Sequence, residues 1–287
     1  MFDDFEYTRP GDVFHDYCLH RYEPPASPAG KFRSVNLLRN SFAVLGAGDA
    51  MHDLVAGLRK ELGRGNTVWG VQKAGQTICW EYYFYDYRRR DRERSLSRVL
   101  HAMRPWAATR LVPNENLPYF MFSIDISDDL LAQKRPLEAV HLYIGTPGST
   151  VSAGICYALT ESGARLENFY YFFHPAEQLD QIIAKVTCSV QIDDRRIFRE
   201  EILWPELLNC TTICCANKPW CDCIYFSGIT VDQYLFFLNK LAYPESIIRF
   251  VAENRARLDH LLFDVGFDYR MENGSLVIPK SAYYGTF

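Results

Sequence analysis

Glu81, His141 and Asp264 are the ionisable side chains whose placement best suits proton transfer, since each falls on the polar side of an alternating run. In 77–87, Ile78, Trp80, Tyr82 and Phe84 alternate with Glu81, Tyr83 and Tyr85. In 139–145, Val140, Leu142 and Ile144 alternate with His141 and Tyr143. In 262–271, Phe263, Val265, Phe267 and Tyr269 alternate with Asp264, Gly266, Asp268 and Arg270. A strand turns successive side chains to opposite faces, so each run has an apolar face and a face mixing aromatic with ionisable groups. Carboxylates and an imidazole set among tyrosines suit acid–base work on a small molecule. Asp264 and Asp268 share a face but lie roughly 13 Å apart at strand rise, too far to chelate one ion.

Other clusters fail on spacing. Phe42-Ala43-Val44-Leu45-Gly46-Ala47-Gly48 opens like a dinucleotide-binding fingerprint, yet Met51 stands at the third glycine position. The strands that follow form a hairpin, so no crossover presents a helix end to a pyrophosphate. Cys210, Cys214, Cys215, Cys221 and Cys223 contain no Cys-x-x-Cys pair, and Cys214 and Cys215 must point to opposite faces of a strand. They are expected to be small buried strand residues. Arg88-Arg89-Arg90-Asp91-Arg92-Glu93-Arg94 mixes both signs, as a solvated helix start does; steering of an anionic substrate is the alternative. There is no Gly-x-Ser-x-Gly elbow, no His-Glu-x-x-His helix, and Asp128-Asp129 runs into Leu130-Leu131-Ala132 rather than a magnesium-binding Asp-Asp-x-x-Asp.

The elements that must position the polar faces come in pairs. Five strand pairs are expected: 67–73 with 77–87, 119–126 with 139–145, 151–159 with 165–173, 211–217 with 221–229, and 262–271 with 276–284. Ala74-Gly75, Glu161-Ser162-Gly163 and Asn273-Gly274 supply turn chemistry, the last being a strong hairpin signal. Helices are expected at 49–62, 92–103, 175–186, 231–241 and 244–260, with a short helical stretch near 203–208. The fold class this predicts is α+β: a ten-stranded antiparallel β-barrel of five hairpins with α-helices outside. Helices cover the apolar outer face, and closure removes exposed strand edges. An open sheet with one wet face accounts for the alternation nearly as well.

With 287 residues, 48% of them hydrophobic and 23% charged, the chain can bury a real core. Its 18 tyrosines and 19 phenylalanines suit an interior that is partly polar, because a buried phenol needs a hydrogen-bond partner. A net charge of −4 argues against a nucleic-acid binder working through a global positive field. The acidic start Met1-Phe2-Asp3-Asp4-Phe5-Glu6 lacks the pattern of a signal peptide, and no apolar run is long enough for a membrane span. Nine cysteines in a chain of this size fit free thiols in a reducing, cytoplasmic setting. Residues 1–40, with Pro10 and Pro24-Pro25-Ala26-Ser27-Pro28-Ala29-Gly30, are expected as an N-terminal extension, either a disordered arm or a lid. Residues 41–287 are expected as a single αββα-repeat barrel domain.

The order of the hairpins resembles the soluble aromatic prenyltransferases, the ABBA or PT-barrel family. The likeness in layout covers 67–287. Phe120-Met121-Phe122-Ser123-Ile124-Asp125 is similar to a barrel strand of that family, Leu166-Glu167-Asn168-Phe169-Tyr170-Tyr171-Phe172 to the strand whose asparagine meets a prenyl diphosphate, and Lys280-Ser281-Ala282-Tyr283-Tyr284 to the last strand. The resemblance implies transfer of an isoprenoid from its diphosphate to an aromatic small molecule or peptide side chain. It requires no cofactor, and magnesium is an allowed companion of the diphosphate.

Under that resemblance Lys280, Asn168 and Arg270 bind the diphosphate, with Lys73 as a further candidate. Tyr83, Tyr143, Tyr225 and Tyr284 shield the allylic cation, and Glu81 takes a proton from the acceptor or orients it. The chain departs from the family in offering His141 and Cys223 where cations are expected. Two other readings stay open: a barrel that binds a hydrophobic or aromatic ligand without ionising a diphosphate, and a different enzyme using Glu81, His141 or Asp264. Convergence of Lys280, Arg270, Lys73 and Asn168 on one wall is what separates transfer from plain binding.

Overall fold

Asn273 and Gly274 turn the last hairpin with φ of 51° and 82°, the left-handed pair that matches the twist of the flanking strands. The computed structural model describes residues 5–63, 67–86, 92, 94–146, 152–193 and 195–287. Five such hairpins are built from β3 (Thr67–Ala74) and β4 (Thr77–Tyr85), β5 (Met121–Ile126) and β6 (Ala139–Gly145), β7 (Ser152–Thr160) and β8 (Gly163–Phe173), β9 (Thr212–Asn217) and β10 (Asp222–Ile229), and β11 (Phe263–Glu272) and β12 (Ser275–Thr286). Each strand pairs antiparallel with both neighbours, and pairing of β12 with β3 closes a ten-stranded barrel. The expected α+β barrel is therefore the observed fold, and the open-sheet alternative falls with that closing ladder.

The apolar strand faces look outward onto helices. Phe263, Val265, Phe267 and Tyr269 join Trp80, Tyr82, Phe84, Val140 and Leu142 in one continuous buried cluster. Around them lie α1 (Val35–Leu45), α2 (Asp49–Leu62), α3 (Leu96–Met103), α4 (Asp128–Leu131), α5 (Pro175–Thr187), α6 (Val231–Lys240), α7 (Glu245–Glu253) and α8 (Arg255–Leu258). Helix α2 buries Met51, Leu54, Val55, Leu58 and Leu62, the stripe its spacing dictates. Helix α6 begins on a capping box, in which the Thr230 hydroxyl accepts from Gln233 N–H and the Gln233 side chain accepts from Thr230 N–H. Phe42 ends up inside α1, with Gly46 as a left-handed C-cap at φ 63°, so of the fingerprint-like glycines Gly46 ends α1 and Gly48 is the N-cap of α2. Among the described residues no helix is long and apolar enough to cross a membrane.

The N-terminal arm is docked on the barrel. Glu6 pairs its backbone with the Asn36 side chain and its carboxylate with Arg39 and Arg59. Strands β1 (Phe14–His15) and β2 (Arg21–Tyr22) make a small hairpin whose tip enters one end of the barrel. There Tyr17 N–H donates to Asp264 at 2.8 Å, and Tyr17 and Leu19 pack against the buried cluster of Val68, Tyr85, Met121, Ala282 and Tyr284. The arm is thus ordered and stoppers that end, and α1 crosses the boundary expected near residue 40.

Of the basic run, residues 88–91 and 93 lie outside the described residues, as do Tyr87 and Val151 at expected strand ends. Arg92 donates to the carbonyls of Tyr119, Glu115 and Leu117 and stacks 3.9 Å from the Tyr119 ring. It ties down the 115–119 segment rather than facing a ligand.

Candidate functional site

The second strand of every hairpin sends one tyrosine inward at the same height. Tyr83, Tyr143, Tyr170, Tyr225 and Tyr284 form a closed ring, with successive centroids 6.3, 5.8, 6.5, 6.2 and 5.9 Å apart. Fivefold repetition of the hairpin is what makes the ring, as layers in barrels arise from alternate strands. The first strands contribute small residues beside it. A Cβ on Gly266 would lie 2.4 Å from Tyr225, and one on Gly70 would lie 2.9 Å from Tyr284. Glycine at these two places lets the rings lie against the wall. Burial holds all five phenols well above their ordinary pKa, so the rings are neutral.

Tyr17 closes the ring from below, stacking on Tyr225 at 6.1 Å and meeting Tyr284 at 5.7 Å. Above the ring the barrel opens into a cavity of about 500 Å³. Its floor is the tyrosine ring, and its walls carry Glu81, Asp125, His141, Glu167, Asn168, Lys218, Asp268 and Lys280.

Glu81 sits just above the floor, buried, accepting from Tyr83 Oη at 2.6 Å, Ser123 Oγ at 2.5 Å and the Gln72 amide. Asn168 donates to Tyr170 Oη at 2.9 Å. On the β8–β12 side, Lys218 bonds Asp268 at 2.6 Å, and Lys280 faces Asp268 across the β11–β12 ladder. Burial would raise the Asp268 pKa, but Lys218 and Lys280 outweigh it and hold the carboxyl below its usual range. On β5, β6 and β8, His141 Nδ1 lies 2.7 Å from Glu167, and its Nε2 lies 3.5 Å from Asp125. Burial alone would lower the His141 pKa; its bonds to Asp125, Cys156 and Glu167 prevail and raise it well above the ordinary value. The cavity therefore has one arc with two lysines and another that is predominantly acidic.

The four tyrosines expected as a shield all stand in the ring, and Glu81, Asn168, Lys280 and His141 all line the cavity. Three candidates lie elsewhere. Lys73 shares the outer face with Trp69 and Val71, its ammonium 5.8 Å from the Tyr243 ring, because 72 and not 73 is the inward position of β3. Arg270 follows a register break between Asp268 and Arg270 and pairs with Glu272 at the rim, outside the cavity lining. Asp264 lies on the stopper side of the ring, receiving Tyr17 N–H, Ser227 Oγ and Gly228 N–H. Convergence of the four expected diphosphate ligands thus holds for Lys280 and Asn168 and fails for Arg270 and Lys73.

Tyr170 and Lys218 went unassigned in the sequence. Tyr170 was legible, two residues beyond Asn168 on the same strand face. Lys218 sits in the 218–221 turn, where no alternation reports direction. Cys214 and Cys215 take opposite faces of β9 as expected, Cys214 lining the space below the ring and Cys215 joining the outer core. Cys223 is buried on β10, whereas Cys210 and Cys221 lie outside the strands and Cys210 is only half-buried. All nine cysteines are free. No protein-family model matches the chain, and no curated protein matches its sequence.

Proposed function

We propose that the barrel is a prenyltransferase-like enzyme, moving an isoprenoid from its diphosphate to an aromatic small molecule or peptide side chain in a reducing, cytoplasmic setting. The observation that carries this reading is the closed tyrosine ring flooring a cavity with Lys218, Lys280 and Asn168 on one side and Glu81 at its base. For a near-regular pentagon with these sides, a cation on the axis lies roughly 5 Å from every ring centre, within the ~6 Å reach of a cation–π contact. The C–O bond of the allylic diphosphate breaks toward the lysine arc, where fixed cations receive the departing charge. The acceptor's aromatic carbon or heteroatom bonds to the allylic carbon, and its proton passes to Glu81 directly or through the bonded hydroxyls of Tyr83 and Ser123. The tyrosine floor excludes water from the allylic cation.

One observation favours a second reading, a lumen that holds a hydrophobic or aromatic ligand without ionising it. Lys218 is already neutralised by Asp268, and Glu81, Asp125 and Glu167 bring further negative charge. Among the described residues, a diphosphate therefore meets Lys280 as the one lysine of that arc not paired at hydrogen-bond distance, set among several carboxylates.

Calorimetric titration with dimethylallyl and geranyl diphosphate, with and without magnesium, separates the two. Saturable binding abolished by Lys280→Ala supports transfer. No binding in any condition rejects it and leaves the ligand-holding barrel.

A further inference from the structure

We propose that His141, Cys156 and Glu167 form a three-ligand site for zinc or a similar divalent transition metal on the cavity wall. The site stands whether or not the cavity takes a diphosphate. The three side chains come from adjacent strands β6, β7 and β8, and one ligand atom from each lies within 4.8 Å of the others. Zinc bound at about 2.0–2.3 Å sets ligand atoms on the order of 3.5 Å apart, so the triad closes on an ion with small side-chain movements.

Three features mark it as more than an ion pair. First, the ladder between β7 and β8 breaks, Cys156 pairing with Asn168 and Tyr157 with Leu166. Glu167 is the unpaired extra residue. A bulge re-aims side chains, and this one brings Glu167 to the cavity beside Asn168, although neighbours on a regular strand face opposite ways. Second, His141 turns Nδ1 toward Glu167 while Nε2 faces Asp125 at 3.5 Å. That is the carboxylate–histidine–metal arrangement, in which the outer carboxylate fixes the ring's tautomer and orientation. Third, Cys156 is fully buried, while His141 and Glu167 are partly exposed. A soft thiolate with an imidazole and one carboxylate selects zinc-like ions over magnesium or calcium, which prefer all-oxygen sets.

Three protein ligands leave the fourth tetrahedral position to water or to a Lewis-basic group of the cavity's ligand, as in zinc sites that act on substrates. His141 and Glu167 both line the cavity, so that position opens into it. The charge of such an ion is offset by the Cys156 thiolate and the Glu167 carboxylate that hold it, and its open position is a second place for an oxyanion, thiolate or phenolate by direct coordination.

Metal-stripped full-length protein is titrated with Co²⁺, read by its thiolate-to-metal charge-transfer absorption, and then with Zn²⁺ in competition. One equivalent of each ion is expected. Cys156→Ser removes the charge-transfer band, and Asp125→Asn, which keeps all three ligands, weakens zinc binding by about 10- to 100-fold. Cys214→Ser, below the tyrosine ring, leaves both signals unchanged, and circular dichroism verifies that each variant is folded. Absence of stoichiometric binding to folded wild-type protein, or a charge-transfer band that survives Cys156→Ser, overturns the site. Diphosphate binding is read separately, by calorimetry on metal-stripped protein, so failure of one reading is distinguished from failure of the other.

Discussion

Tyr17 and Tyr225 are 208 residues apart in sequence and stack at 6.1 Å with their planes 23° apart. The contact joins the N-terminal hairpin to the underside of the tyrosine ring. Tyr17 is also the residue whose N–H meets Asp264 and whose carbonyl accepts from Tyr85 Oη. Tyr17→Ala removes the ring while leaving both backbone bonds available. It should lower stability by about 2 kcal/mol, less than a fully buried aromatic truncation because Tyr17 is only partly buried. Urea unfolding gives that number, and limited proteolysis of the arm reports whether the hairpin still docks. Unchanged stability would mean that the backbone bonds alone hold it.

The ring's shape depends on missing Cβ atoms. Gly266→Ala places a methyl 2.4 Å from Tyr225 Cδ1 and 3.0 Å from the Ile224 carbonyl oxygen, so the ring must swing toward the axis. A loss of about 1–3 kcal/mol is expected, as for overpacking elsewhere. Gly154→Ala is the matched control: its nearest contact, the Ile144 carbonyl oxygen, is 3.6 Å away. Thermal unfolding of the two variants should separate them clearly, with Gly154→Ala near wild type.

Strand positions, hairpin pairing and the inward tyrosines were readable because a period of two is imposed at each residue of a half-buried strand. That period places Glu81, Tyr83 and His141 on the polar face, which closure of the barrel turns into the lumen. The same logic breaks at irregularities. Arg270 follows the β11–β12 register break, and Glu167 occupies a bulge; neither departure has a composition signal. Lys73 is a diphosphate candidate only under the resemblance, and strict alternation from Trp69 and Val71 puts it on the outer face. Lys218 and Tyr17 reach the lumen from a turn and from an arm, through tertiary packing that periodicity does not encode.

Asp264 couples the stopper to pH. Burial, with Asp16 nearby adding to it, pushes the Asp264 carboxyl up to about 7. Its folded pKa exceeds the ordinary 3.8, so between roughly pH 4 and 7 the folded state binds a proton that the unfolded state lacks. The stability from that proton is full below the unfolded value and is lost as pH rises through about 7. About 4 kcal/mol is the upper bound for three pKa units. His260 works the other way: buried without a polar partner among the described residues, it is pushed down to about 4 and favours folding as pH rises. The Asp264 contribution is therefore read as a difference. Relative to wild type, Asp264→Asn should gain stability steadily from pH 4 to 7 and level off above it, measured by urea unfolding at each pH. A constant offset across the range would show that Asp264 does not change protonation in that window.

Asp268 limits how strongly the lysine arc can hold an anion, because it bonds Lys218 at 2.6 Å and also draws on Lys280. Asp268→Asn releases both ammonium groups toward the cavity. Removing one negative charge a few ångströms from a bound diphosphate should tighten inorganic pyrophosphate binding about tenfold, equivalent to ~1.4 kcal/mol. The same change leaves Lys218 buried without its counter-charge and should destabilise the fold by about 3 kcal/mol. The two effects have opposite signs and separate readouts, calorimetry for the ligand and urea unfolding for the protein. Tighter binding in a less stable protein is the expected pair. Loss of stability with no gain in affinity would mean that the lysines serve the barrel wall and that the anion, if one binds, is held elsewhere.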